Sequence, residues 1–180
     1  MSKTNRKVVL VTGASSDIGQ EIATLFAKNN YDVVIHYYKN INKALELQKN
    51  IHKSGGKSLV IQADISNTKD VIDMFYQIND TFGRIDVVVN NAGIALDNDI
   101  YDKTKEEFMR VLEVNLIGTF LVIKEATKYM KKGIIINISS TDGIDTYNPF
   151  SIDYSVSKAG INLLTKILTD RFPNLNFYTI

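Results

Sequence analysis

Six short apolar runs, each but the last followed by a stretch patterned as a helix, set the strongest limit on what this chain can fold into. The first, residues 7–12, carries Val8, Val9, Leu10 and Val11 with no polar residue among them. A strand with one face in water alternates apolar and polar side chains, whereas an unbroken apolar run marks a strand covered on both faces. The other runs are 32–37, 58–62, 86–90, 133–139 and 175–180. Between them the spacing predicts helices over 18–28, with Ile22, Leu25 and Phe26 on the inner face, and over 41–53, stopped by Gly55 and Gly56. Further helices are predicted over 67–82 (Val71, Met74, Phe75 and Ile78 inward), over 103–130 as one long helix, and over 153–172, closed by Pro173. Gly118, inside the long helix, is expected to mark a close packing contact rather than a stop. Strict alternation of strand and helix gives a parallel sheet with helices on both faces. No linker, repeat or low-complexity segment breaks the pattern, so residues 1–180 read as one α/β doubly wound domain.

Composition excludes several classes of function. A net charge of +1 sets up no field that would gather nucleic acid or an anionic membrane. The chain has no Cys, hence no disulfide, no thiolate metal site and no cysteine nucleophile. His36 and His52 are isolated, so no metal centre is expected. The opening Met-Ser-Lys-Thr-Asn-Arg-Lys leads into no apolar run of signal-peptide length, and no stretch approaches the ~20 apolar residues of a membrane span. A cytoplasmic protein is the expectation.

Two segments carry chemistry. The first strand runs into Thr12-Gly13-Ala14-Ser15-Ser16-Asp17-Ile18-Gly19, and a helix follows. A glycine turn in that context lets backbone N–H groups approach a pyrophosphate at a helix N-terminus, where the helix dipole favours an anion. Asp17 stands where a further glycine is expected; its carboxylate either faces the ligand or caps the helix. The second strand ends His36-Tyr37-Tyr38-Lys39-Asn40 and lacks the acid that would hold the ribose 2′-hydroxyl of NAD. Lys39 is available to a 2′-phosphate, or is a solvated loop lysine, so NADP(H) is favoured over NAD(H). Near the other end, Tyr154 and Lys158 lie four apart on one helix and so share a face. A cation beside a phenol favours the phenolate and draws the tyrosine from its pKa of about 10 toward working pH, fitting it to give or take a proton.

With these residues in view, the chain resembles the short-chain dehydrogenase/reductase family over essentially all its length. The likeness includes Asn90-Asn91-Ala92-Gly93 after the fourth strand, Asp64 after the third, Asn115 in the long helix, and Ser140, Tyr154 and Lys158. It implies a Rossmann fold with strand order 3-2-1-4-5-6 and a ligand crevice between strands 1 and 4. The catalytic set it implies is Ser140, Tyr154, Lys158 and Asn115. The implied cofactor set is Gly13, Ser15, Ser16, Asp17, Ile18, Gly19, Tyr37, Lys39, Asp64, Ile65, Asn91, Ala92 and Gly93, with Tyr154 and Lys158. Ser140 is chosen over Ser139 because it lies three before Gly143, with Ser139 kept as the alternative. Ser140 precedes Tyr154 by 14 residues, one more than the family pattern, so the 143–153 loop is expected to carry an insertion.

The resemblance implies reduction of a ketone. Tyr154 would give a proton to the carbonyl oxygen, Ser140 a hydrogen bond, Lys158 would hold the nicotinamide ribose, and Asn115 would support a relay water. The segment after Gly93 looks most like the 3-oxoacyl-carrier-protein reductases, which implies a carrier-bound or small-molecule carbonyl substrate; sugar and polyol dehydrogenases share these motifs. Family members run to about 250 residues, so the chain would be truncated after the sixth strand, without the substrate lid and last strand. A catalytically weak nucleotide-binding protein or a fragment of a longer reductase is therefore a rival reading, and an interaction module without nucleotide a third. The helices over 103–130 and 153–172 resemble the family's pair at the dimer interface, which implies a homo-oligomer.

Overall fold

The computed structural model describes residues 5–146 and 148–180. The first residues of the stretch read for a signal peptide, and Tyr147 in the loop expected to carry an insertion, lie outside the described residues. Each apolar run is a strand: β1 (Val8–Val11), β2 (Asp32–Tyr37), β3 (Ser58–Gln62), β4 (Val87–Asn90), β5 (Gly133–Asn137) and β6 (Leu175–Thr179). All pair in parallel in the order β3-β2-β1-β4-β5-β6. Val8 lies opposite Asp32 on one side of β1 and Val9 opposite Val87 on the other. The chain therefore leaves β1 and β4 in opposite directions, and a crevice opens beyond their carboxyl ends.

The helices are α1 (Asp17–Lys28), α2 (Ile41–Lys53), α3 (Thr68–Phe82), α4 (Lys105–Leu112), α5 (Thr119–Tyr129) and α6 (Ile152–Arg171). Strand pleating sorts the apolar residues into two cores. Val8, Leu10, Val34, Val88 and Ile135 turn to one face with Met74, Phe75, Ile78 and Ile123. Val9, Val11, Val33, Ile35, Val87 and Val89 turn to the other with Ala23, Ala44, Leu47 and Ile51. Buried on both faces, these strands are apolar along most of their length, and their polar residues (Asp32, His36, Asn90 and Asn137) sit at or near strand ends. Among the described residues no helix is long and apolar enough to cross a membrane.

Two helices differ from expectation. On α1, Leu25 is exposed, and the inner stripe is Gly19 and Ala23 with Ile22, Phe26 and Ala27 packed beside them. The helix lies so close to the sheet that small residues take the inner row. The long helix begins at Lys105 because Thr104 caps it: Thr104 Oγ1 accepts the Glu107 N–H at 3.1 Å and the Glu107 carboxylate accepts the Thr104 N–H at 2.9 Å. It is also not uniform. Between α4 and α5 the backbone widens into a π-helical stretch, Glu113–Gly118, with Asn115 inside it, and such bulges are frequent at functional sites. Gly118 is the close contact expected, since a Cβ there would come within 2.9 Å of Ile65.

Candidate active site

The turn after β1 is held by the end of β4. Thr12 Oγ1 accepts the N–H groups of Asn91 and Ala92 at 3.0 and 3.1 Å. The Asn91 amide donates to the carbonyls of Thr12 and Gly13 at 2.9 and 3.1 Å. Gly13 has φ +65°, and a Cβ on it would lie 2.8 Å from the Ala92 Cα, so this position takes only glycine. The Gly13 N–H donates to Nδ1 of buried His36 at 3.0 Å, and Nε2 of that ring lies 3.0 Å from the Ala63 carbonyl. One imidazole thereby joins the turn after β1 to the residue after β3.

Ser16, not Asp17, caps α1: its Oγ accepts the Gly19 N–H at 3.1 Å. The Asp17 carboxylate instead meets Lys43 of α2 at 2.9 Å and stays in solvent. Its charge in the first turn suits the helix dipole, and it does not line the crevice. The mismatch in the glycine pattern thus lies outside the cleft.

A cleft of about 630 Å³ fills the crevice. Gly13, Ser15 and Ser16 line one end, Lys39 and Asp64 another, and Asn91, Ala92 and Gly93 the floor, with Ile65 beside them. His36, Tyr38, Asn40, Ala63, Arg110 and Val114, and the segment Ile94, Ala95 and Leu96, complete it and were missed from sequence. Tyr37 is a correction: it packs in the core with Val9 and Ile35, and Tyr38 takes the place in the cleft. Ile18 is exposed and Gly19 is buried behind the turn, so neither lines the cleft. Asp64 accepts from Ser66 N–H and Oγ at 2.9 and 2.6 Å, and from Arg110 at 3.4 Å. Burial alone would raise its carboxyl pKa; the Ser66 bonds and the Arg110 guanidinium outweigh that and hold it below the usual carboxylate range. Backbone donors at a helix N-terminus, together with an ionised acid and a lysine in the same cleft, form a donor set that fits a dinucleotide.

Asn115 and Lys158 stand beside Gly93, Tyr154 lies next to Lys158, and Ser140 follows Ser139, whose Oγ faces the Lys158 carbonyl. Lys158 Nζ lies 5.3 Å from the Tyr154 ring centroid. It also donates to the Ile138 carbonyl at 2.6 Å, and a Cβ on Gly93 would stand 3.9 Å from it. Lys158 is 4% exposed, and burial lowers its pKa to about 8. Ser140 Oγ accepts the Asp142 N–H at 3.2 Å, a bond that does not use its own proton. The alternative, Ser139, is buried with Oγ directed at the Lys158 carbonyl, 3.4 Å away. Asn115 is wholly buried. Its Oδ1 accepts the Ile94 N–H at 2.8 Å, and its two amide protons go to the Ile94 carbonyl (2.9 Å) and Ser157 Oγ (3.1 Å). Its side chain fixes the cleft wall and has only an Oδ1 lone pair left for a water. None of these four lines the open cleft; Asn115 and Lys158 lie behind Gly93, which does.

Fold and site together define a doubly wound nucleotide-binding oxidoreductase. The sequence profile of the short chain dehydrogenases matches residues 7–176, and the chain belongs to that family. A 3-oxoacyl-[acyl-carrier-protein] reductase of Synechocystis is 37% identical over 169 residues, covering 92% of this chain and 68% of that protein. One of Staphylococcus aureus strain Mu50 is 39% identical over 163 residues, covering 89% of this chain and 66% of the relative. A solved dehydrogenase/reductase of Sinorhizobium meliloti superposes with a TM-score of 0.91 at 29% identity, over 96% of this chain and 70% of the other. The chain spans about two thirds of the length of these relatives.

Proposed function

We propose that the chain reduces a ketone of the 3-oxoacyl thioester class to a secondary alcohol, with Tyr154 as proton donor. The nicotinamide, when bound, supplies hydride to the carbonyl carbon. Tyr154 gives its phenolic proton to the oxygen where charge develops, and Ser140 Oγ donates a hydrogen bond to the same atom. Lys158 stabilises the negative charge left on the phenol. With its pKa near 8, it can also return a proton to the phenol at neutral pH. The observation that carries this reading is the buried Lys158 ammonium 5.3 Å from the Tyr154 ring centroid and next to Gly93, which lines a cleft whose donors suit a dinucleotide. The substrate class rests on the names of the two reductases above.

The test follows NADPH oxidation by absorbance with an acetoacetyl thioester, set beside sugar and polyol substrates. Tyr154→Phe is expected to lower kcat by at least about a thousandfold while nucleotide affinity changes by less than about twofold. Activity within roughly tenfold of wild type would remove Tyr154 from the acid role. Nucleotide binding with no oxidation of any substrate would leave a nucleotide-binding protein.

The cofactor proposed is NADPH rather than NADH. No acid stands at the end of β2, and Lys39 lines the cleft there. In fluorescence titrations NADPH binds more tightly, and Lys39→Ala narrows the preference by about tenfold, the loss of one charge-assisted hydrogen bond. Equal affinities in the wild type would refute it. Self-association through the outer faces of α4, α5 and α6 is proposed as well.

A further inference from the structure

Two buried charges next to Tyr154 have no part in the chemistry above. Lys103 lies in the loop between β4 and α4, Asp153 in the first turn of α6. Their side chains are 5% and 0% exposed, and Nζ donates to Oδ2 at 3.1 Å. Desolvating two charges is offset only by close pairing with further hydrogen bonds to each partner. Both partners have them. The Lys103 ammonium also donates to the Leu96 carbonyl, and Asp153 Oδ1 accepts the Tyr154 N–H at 3.0 Å.

An unbroken run of bonds thus leads from Leu96, a wall residue of the cleft, through Lys103 and Asp153 to the backbone of Tyr154. Two more bonds join the same loop to the same segment. Ser151 Oγ donates to the Asp97 carboxylate, and the Asn98 N–H donates to the Phe150 carbonyl at 2.8 Å. Helix capping alone does not demand this arrangement. Ser151, at the N-cap, gives α6 no side-chain bond, so Asp153 serves its first turn. A neutral Asn in place of Asp153 could accept the same N–H with no lysine nearby. The negative charge is what requires Lys103, and Lys103 is what reaches the wall.

We propose that Lys103 and Asp153 are positioning residues for Tyr154, their ion pair locking the first turn of α6 to the cleft wall at Leu96. The inference rests on the reading of Tyr154 as proton donor. A misplacement of about 1 Å at a reacting group can cost a hundredfold in rate, and this contact sets the distance between wall and phenol.

The test compares Lys103→Met, Asp153→Asn, the double variant and Lys103→Arg. Each of the first two strands one charge in the interior and is expected to lower both the melting temperature and kcat. The double variant strands none. Its melting temperature returns to near wild type, while kcat stays about tenfold or more down and nucleotide affinity holds within about twofold. Lys103→Arg retains the charge and most of kcat. A double variant with wild-type kcat, or kcat that recovers in step with melting temperature, overturns the proposal. A second readout needs no turnover: the carbon-13 resonance of the Tyr154 Cζ, assigned by its loss in Tyr154→Phe. It is expected to shift in the double variant, and an unmoved resonance overturns the proposal. A wild type that oxidises no NADPH counts against the reductase reading alone, and the resonance then decides on the ion pair.

Discussion

His36 is wholly buried between two strand ends, and its bonds fix its protonation state. Nδ1 accepts from Gly13 and Nε2 faces a carbonyl, which requires the neutral ring with its proton on Nε2. Burial lowers its pKa from 6.5 to about 4, against smaller upward pulls from the Ala63 carbonyl and the Asp64 carboxylate. The unfolded chain takes up this proton below pH 6.5, and the folded chain refuses it until about pH 4. The stabilisation is therefore complete above pH 6.5 and is lost as pH falls from there toward 4. At pH 4.5 the loss amounts to roughly 2–3 kcal/mol. Urea unfolding at pH 7.5 and 4.5 checks it: His36→Gln should lose less stability than wild type over that interval by about that amount. Equal losses would show that the ring titrates normally. Nothing in the sequence around His36 announced this role, because the two groups it joins lie 23 residues before it and 27 after it.

At the scale of elements, the central strands were legible because burial on both faces forces apolar runs, and the alternation with helices then left few topologies. The same double burial hid which side chains face the cleft. In a strand covered on both faces the period of two gives little contrast, so sequence does not separate Tyr37, which lies in the core, from Tyr38, which lines the cleft. The helix over 103–130 was legible as a helix but its π-helical stretch was not. Residues of either helix type carry the same apolar spacing over so short a span. What accompanies the widening is tertiary: Asn115 is bonded to Ile94 of the β4 loop, and Gly118 is pressed on Ile65. Arg110 escaped notice for a similar reason. It reads as one more surface cation until the fold carries Asp64 and Ser66 to it. The Tyr154–Lys158 pair, by contrast, is local to one helix, and local geometry is what spacing encodes.

The whole molecule presents an apolar face that its own fold does not cover. Ile117 and Phe120 lie on the outer side of the π-helical stretch and α5, and Leu163 and Ile167 on the outer side of α6, with exposures of 40–60%. The two helical elements are in direct contact, since a Cβ on Gly160 would come within 2.9 Å of Leu116. Their exposed apolar side chains therefore lie on two neighbouring elements. The self-association proposed above would cover it, since a two-fold axis brings the same apolar residues of two copies together. Sedimentation of the wild type is expected to give at least twice the 20.2 kDa chain mass. Phe120→Lys with Leu163→Lys, which sets like charges across the axis, should return it to the chain mass. A wild type that sediments as a single chain at micromolar concentration would refute the face as a self-association surface. The proposed association would bear on chemistry through α6, which carries both exposed Leu163 and the Tyr154–Lys158 pair. Covering the outer side would restrict the motion of the helix that carries Tyr154, the proposed proton donor. If Tyr154 is the proton donor, the single-chain variant should therefore keep its nucleotide affinity and lose kcat.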